Sequence, residues 1–308
     1  VSVPGTPIVV VVVTFESGAV IERCLRSLQQ AAPVRGVDIR VVDNASSDDS
    51  IARAAAVVGG DHVLRLPSNR GFAAGVNAVL AGFEGAWLAV MNPDVVVPPG
   101  ALDALVERLE REPRTGLLGP RVRDPRGAVE ESVGWFPSLA RERAHALYFD
   151  VLLGREGRRR RRFPASAEVV DWVSGCAWLL RGDAIRATGP LDEDYFMYFE
   201  DVDYCWRLRA AGWNVVADPG VEIVHGGSEG SARSHELPAD GAGAPVLHFF
   251  GKFRPETPRA DLMTTLLTGW RVRRLLHAFA ARLGDSRARM REQRYVVAIR
   301  EAARRPAD

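Results

Sequence analysis

The chain has 308 residues, 47% of them apolar, which is enough for one large α/β domain or two modest ones and too much for a disordered protein. Its 40 basic and 39 acidic residues nearly cancel, so no strong net field commits it to nucleic acid or to a membrane. Cys24, Cys176 and Cys205 are far apart and form no CxxC pair, which excludes a disulfide scaffold and fits a reducing, cytoplasmic setting.

The continuous β-branched run Ile8 to Val13 reads as a buried, parallel central strand. Ala19 to Gln30 follows with apolar residues at helical spacing, and Val37 to Val42 is a second strand that runs into Asp-Asn-Ala-Ser-Ser-Asp. Ser and Asp there suit the cap of a helix starting near Ser50. Val63 to Leu66 predicts a short third strand, Gly71 to Leu80 a helix, and Trp87 to Met91 a fourth strand that stops at Asn92-Pro93-Asp94. This alternation predicts an open, mostly parallel α/β sheet with ligands beyond the carboxyl ends of its strands.

Pro98-Pro99-Gly100 opens a helix over Ala101 to Glu112, after which Gly116 to Gly119 leads into a less regular region. Trp135 to Pro164 is rich in arginine, and its tract GREGRRRRR reads as a mobile surface loop. Order returns at Val169, with a short helix from Gly182, and the small residues of Ser228 to Pro245 read as a second flexible loop. Leu262 to Leu283 predicts an amphipathic helix with Leu266, Leu267, Trp270, Leu275, Phe279 and Leu283 on one face beside Arg271, Arg273, Arg274 and Arg282. No signal segment opens the sequence and its longest apolar runs are strand-sized, so contact with a membrane is expected to be peripheral.

Several polar residues stand where an apolar strand ends. Asp43 can accept a hydrogen bond from the imide N–H of a uracil or thymine, or can serve as a turn former or helix cap. The run Asn69-Arg70-Gly71-Phe72-Ala73-Ala74-Gly75-Val76-Asn77 has small residues suited either to a ligand or to helix packing, without P-loop or GxGxxG spacing. Asp94 offers a carboxylate for Mg2+ or Mn2+ beside a diphosphate, although Asn-Pro-Asp is also a good turn. His225 follows the apolar Val221 to Val224, and its imidazole would favour manganese if it joins Asp94. In FMYFEDVDYCWRLRAAGW, Glu200, Asp201 and Asp203 can be a stabilising helix start, or one of them can be a general base raised by the surrounding rings.

Taken in order, VVVVTFES, VVDNASSDDS, NRGFAAGVN, MNPD, SGCAWLLR, FMYFEDVDYCWRLRAAGW and VEIVHGG resemble the motifs of an inverting family-2 glycosyltransferase of the GT-A fold. The resemblance runs from about Ile8 to Gly227, and LLGPRVRDPRGAVEESVGWFPSL is similar to the branch of actinobacterial cell-wall rhamnosyltransferases acting on N-acetylglucosaminyl-diphosphate-polyprenol. It implies a catalytic domain over 1–250, with a nucleotide-sugar part at 1–119 and an acceptor and base part at 165–250, and a basic helical region over 251–308.

Position by position, the resemblance implies that Thr14 and Glu16 lie by the nucleotide and that Asp43 reads the base. Asn69, Arg70, Gly71 and Asn92 line the nucleotide side, while Asn77 orders that loop. Asn92-Pro93-Asp94 stands where the family has Asp-x-Asp, with Asn92 in place of the first carboxylate. That leaves Asp94, with His225, to hold Mn2+ or Mg2+. Asp201 matches the catalytic base and Glu200 its neighbour at the acceptor, while Asp203 is left as a helix-turn residue. Trp172, Ser174, Gly175 and Cys176 match the segment under the acceptor and donor sugar.

The implied reaction is transfer of L-rhamnose from dTDP-β-L-rhamnose to a lipid-linked N-acetylglucosamine diphosphate at the inner face of the plasma membrane. Peripheral contact with anionic lipid is expected, with a homodimer left open. Arginine clusters without interleaved aromatics argue against nucleic acid. A hexosyl- or galactofuranosyltransferase using a UDP-sugar is the alternative, since Asp43 does not separate uracil from thymine. A noncatalytic glycan-binding or scaffold protein would have no use for Asp94, Asp201 and His225 together.

Overall fold

The computed structural model of the chain describes residues 7–147, 160–226, 243–283, 292–293, 295–297 and 299–300. The elements run β1 (Ile8–Thr14), α1 (Ile21–Gln29), β2 (Val37–Asp43), α2 (Ser50–Val58), β3 (Val63–Arg65), α3 (Gly71–Leu80), β4 (Trp87–Met91), β5 (Val95–Val96), α4 (Ala101–Arg111), β6 (Thr115–Arg123) and β7 (Val133–Gly134). They continue with α5 (Leu139–Ala146), β8 (Arg160–Arg161), β9 (Glu168–Val169), β10 (Trp172–Val173), β11 (Ala177–Arg181), α6 (Gly182–Thr188), α7 (Glu200–Ala210), β12 (Asn214–His225), α8 (Ala244–Phe253) and α9 (Arg259–Arg282).

Most of the expected GREGRRRRR loop, and residues 228–242 of the second expected loop, lie outside the described residues. The end of the arginine tract is not loop: Arg160–Arg161 is a short strand. Ala244 and Pro245 already belong to α8, where proline is tolerated because the first helical N–H groups have no intrahelical partner.

Contacts divide the chain into two compact units, residues 1–134 with 162–234, and residues 135–161 with 235–308. The division expected at residue 250 therefore falls earlier, and the second unit also takes in part of the arginine-rich insertion. The reason is that α5 belongs with α9: a Cβ on Gly269 would lie 3.0 Å from Ala146 Cα, and Arg273 donates to the His145 carbonyl at 2.9 Å.

The first unit is built on a mixed sheet in the order β3-β2-β1-β4-β11-β6-β12-β5, with β9 also on β12. The first four strands are parallel: β1 and β4 are buried almost throughout, as central parallel strands are, while the edge strand β3 is largely exposed. Beyond them β11 runs antiparallel to β4 and β6, while β12 is parallel to β6.

Alternation splits β1 between two faces. Val10 and Val12 join a core with Ile21, Leu25 and Leu28 of α1 and Leu102 and Leu105 of α4. On the other face Val13 meets α3 so closely that a Cβ at Gly75 would lie 2.5 Å from it.

The parallel register sets Thr14 beside Asp43 and Asp43 beside Arg65, so three strands end level. Gly116 to Gly119, expected to lead into a less regular region, instead belongs to the nine-residue strand β6. Its glycines make room for neighbours: a Cβ at Gly116 would stand 2.8 Å from Trp213 Cβ, and one at Gly119 3.0 Å from Val173.

Candidate active site

The candidate residues of the first unit gather beyond these strand ends. Asp43 is fully buried; its Oδ2 accepts the Ser46 N–H at 3.0 Å, while Oδ1 has no hydrogen-bond partner. The turn-former reading therefore accounts for one oxygen and leaves a buried acceptor free for a ligand N–H. Thr14 Oγ1 beside it is likewise buried without a partner. Asp43 does not cap α2, whose cap position is Asp49.

Glu16 braces two loops. Its Oε1 accepts both the backbone N–H and the hydroxyl of Ser47 at 2.8 Å, and its own N–H donates to Ser46 Oγ at 2.9 Å. Glu16 and Ala45 both hold positive φ, 50° and 63°, a conformation costing non-glycine residues energy that clusters at ligand sites.

The Asn69–Asn77 run is folded by its own amides. Asn69 Oδ1 accepts the Gly71 N–H at 3.0 Å, and Asn44 Nδ2 donates to the Gly71 carbonyl at 3.1 Å. Gly71 has φ +86°, and a Cβ there would sit 2.1 Å from the Phe196 carbonyl oxygen, so only glycine fits. Arg70 lies at the rim with its guanidinium on Glu193. Asn77 ties the same segment from below, accepting from Leu191 N and donating to Leu191 O, both at 2.9 Å.

Asp94 and His225 meet because β5 pairs antiparallel with the end of β12, Val95 opposite His225. Asp94 Oδ1 lies 3.3 Å from His225 Nε2, and Glu130 Oε2 lies 3.2 Å from His225 Nδ1. Asn92 Nδ2 is 3.4 Å from Nε2. Burial opposes a charged imidazole here, but the Asp94 and Glu130 carboxylates outweigh it and push His225 up to about 11.

The donor set suits a divalent cation: one buried carboxylate, one imidazole, and a second carboxylate behind the ring to fix its orientation. Gly226 keeps the wall thin, since a Cβ there would lie 3.0 Å from the Asp94 carbonyl oxygen.

The three acids of α7 have different environments. Asp203 is fully buried and paired with Arg207 at 2.6 Å, which makes it more than a helix-turn residue. Glu200 is buried with Oε2 unpartnered, and burial followed by the charge of Asp201 holds its carboxyl well above the usual range. Asp201 is half-buried, its Oδ2 accepting the Gly175 N–H at 3.3 Å.

The rings do not form one cage. Tyr195 and Tyr204 are core residues, Tyr204 stacked on Trp178 with centroids 5.8 Å apart, whereas Phe196 and Tyr198 are exposed. Tyr198 and Phe199, φ 66° and 74°, make a left-handed entry into α7.

The segment Trp172 to Cys176 joins these parts. Trp172 is buried opposite Gly134, Ser174 N–H donates to Ser132 O at 2.8 Å, Gly175 N–H reaches Asp201, and the Cys176 carbonyl accepts from Asn92 N at 2.9 Å. Trp172 and Cys176 thus form floor, and burial pushes the Cys176 thiol up. Sequence reasoning missed Glu130 and Glu193. Glu130 is 95 residues from its histidine, so no local spacing announces it.

Residues 9–185 match the family described as Glycosyl transferase family 2. An N-acetylglucosaminyl-diphospho-decaprenol L-rhamnosyltransferase of Mycobacterium tuberculosis is 37% identical over 238 residues, covering 73% of this chain and 77% of that protein. Among solved structures, the mannosyltransferase PcManGT from Pyrobaculum calidifontis, in complex with GDP-Man and Mn2+, is similar with a TM-score of 0.56 at 16% identity, covering 98% of this chain and 88% of the other. TarS of S. aureus gives a TM-score of 0.55 at 14% identity over 85% of this chain and 42% of its own. At such identities the two structures speak for the fold, a mixed α/β sheet flanked by helices of the GT-A type.

Proposed function

We propose that this chain, which belongs to glycosyl transferase family 2, moves L-rhamnose from dTDP-β-L-rhamnose to a hydroxyl of a polyprenyl-linked N-acetylglucosamine diphosphate. That it is a glycosyltransferase follows from the family; the sugar and acceptor are our reading, drawn from the mycobacterial relative.

The observation that carries the reading is the backbone of Gly175 and Cys176. One N–H holds the Asp201 carboxylate and the next carbonyl holds Asn92, so a proton acceptor and the Asn92–Asp94 turn share one short segment. Asp201 takes the proton of the acceptor hydroxyl as its oxygen bonds to the anomeric carbon, and the bond from that carbon to the nucleoside diphosphate breaks on the opposite face. One displacement inverts the configuration and gives an α-rhamnoside. Glu200, whose carboxyl burial and the charge of Asp201 hold well above the usual range, stands beside Asp201 on the acceptor side.

Asp43 Oδ1 takes the imide N–H of the base, with Thr14 near the same edge. Asp94 and His225 would hold Mn2+ or Mg2+, with the imidazole favouring manganese. When bound, that ion neutralises charge on the departing diphosphate.

A donor panel tests the reading. Turnover of dTDP-rhamnose in preference to UDP-glucose, UDP-galactose and UDP-galactofuranose is expected with purified protein, Mn2+ and a short-chain lipid acceptor. Turnover with UDP-sugars alone would replace rhamnose by the hexosyl or galactofuranosyl alternative.

A further inference from the structure

The C-terminal half of α9 carries an apolar face left in water. Leu275, Phe279 and Leu283 follow at intervals of four, with Leu276 beside them, and are 69%, 63%, 74% and 50% exposed. In the N-terminal half Leu262, Thr265, Leu266 and Gly269 are buried, and Gly269 packs against Ala146 of α5. The apolar side of the helix expected from the sequence is therefore covered only along its first half: Leu266 packs inside the unit, whereas Leu275, Phe279 and Leu283 stay exposed. Four large apolar side chains on one surface are the kind of patch that marks an interaction site.

Charge selects the partner. Between Asp261 and Asp285 the sequence holds Arg271, Arg273, Arg274 and Arg282 and no acid. Arg273 is bound to the His145 carbonyl and Arg274 faces Glu292 at 3.9 Å. Arg271 stands one turn before Leu275, and Arg282 three residues after Phe279, so both border the stripe along one edge. A second copy docked about a twofold axis would set these arginines against their own counterparts. Anionic headgroups meet both demands at once, and no described helix is long and apolar enough to cross a bilayer.

We propose that this face of α9 docks the chain on an anionic lipid surface, with Leu275, Leu276, Phe279 and Leu283 in the acyl boundary and Arg271 and Arg282 at the phosphates. The docking stands on α9 alone; its purpose, access to a lipid-linked acceptor, rests on the transferase reading above.

The test pellets full-length protein with vesicles of phosphatidylcholine, alone or mixed with phosphatidylglycerol. The wild type is compared with Leu275→Gln/Phe279→Gln and Arg271→Gln/Arg282→Gln, all checked for unchanged melting. The wild type pellets with the anionic vesicles and is released by salt. The apolar variant partitions about tenfold or more less strongly, and the arginine variant loses the preference for phosphatidylglycerol. Both keep transfer to a water-soluble acceptor analogue.

Equal pelleting of the apolar variant would overturn the proposal. So would a wild-type dimer that this variant converts to monomer while vesicle binding is unchanged. Failure of the wild type on every soluble acceptor would strike the transferase reading instead, and the pelleting result would still decide the docking face.

Discussion

His225 shows most directly how a single residue ties stability to chemistry. Held near 11 by Asp94 and Glu130, against an ordinary value of about 6.5, it keeps its proton in the ion-free folded chain after the unfolded chain has lost it. Its stabilisation is therefore complete below about pH 6.5 and falls as pH rises toward 11. Urea unfolding in EDTA at pH 7 and pH 9 should show that loss in the wild type and a smaller one in His225→Gln. A cation must displace that proton, so affinity for Mn2+ should rise with pH over the same range.

Glu130 provides a second check at this scale, since it holds Nδ1 while Nε2 faces Asp94. Glu130→Ala should weaken Mn2+ binding by about 10- to 100-fold in calorimetry, with Glu130→Gln, which keeps an acceptor oxygen, losing less. Asp94 and His225 are legible from sequence because each ends an apolar strand. Glu130 is not, because its role depends on which distant residue β12 delivers to it. Among the three acids of α7, spacing could not separate roles that burial separates: Asp203 is paired inside, Glu200 is buried with Oε2 unpartnered, and Asp201 is held at its Gly175 bond.

At the scale of elements, the first four parallel strands and the helices between them are legible because β-branched runs and helical spacing point the same way. The second half of the sheet is harder to read: β6 contains two glycines and a proline that local rules count against a strand, and their reason lies in Trp213 and Val173, far along the chain. Two substitutions test how elements are joined. Gly71→Ala places a methyl against the Phe196 carbonyl at a positive φ, and should lower the melting temperature and raise KM for the donor together. Arg207→Ala leaves the buried Asp203 without its cation and should cost about 3 kcal/mol in chemical denaturation.

For the whole molecule, composition and charge bounded the class of protein without locating the boundary between its units. The second unit joins residues 135–161 to residues 235–308, because α5 supplies the surface on which α9 packs through Gly269. Amphipathic spacing alone could not tell that α9 is covered along its first half and exposed along its second. The central claim concerns the first unit: a family-2 glycosyltransferase in which Asp201 is the base for rhamnosyl transfer. Purified wild type and Asp201→Asn are compared at saturating short-chain lipid acceptor with dTDP-rhamnose and Mn2+, and the product is analysed by mass and anomeric configuration. The wild type should yield an α-rhamnoside and Asp201→Asn a rate at least about 100-fold lower with donor binding retained. An unchanged rate in Asp201→Asn, or a product that keeps the donor's β configuration, would contradict the account.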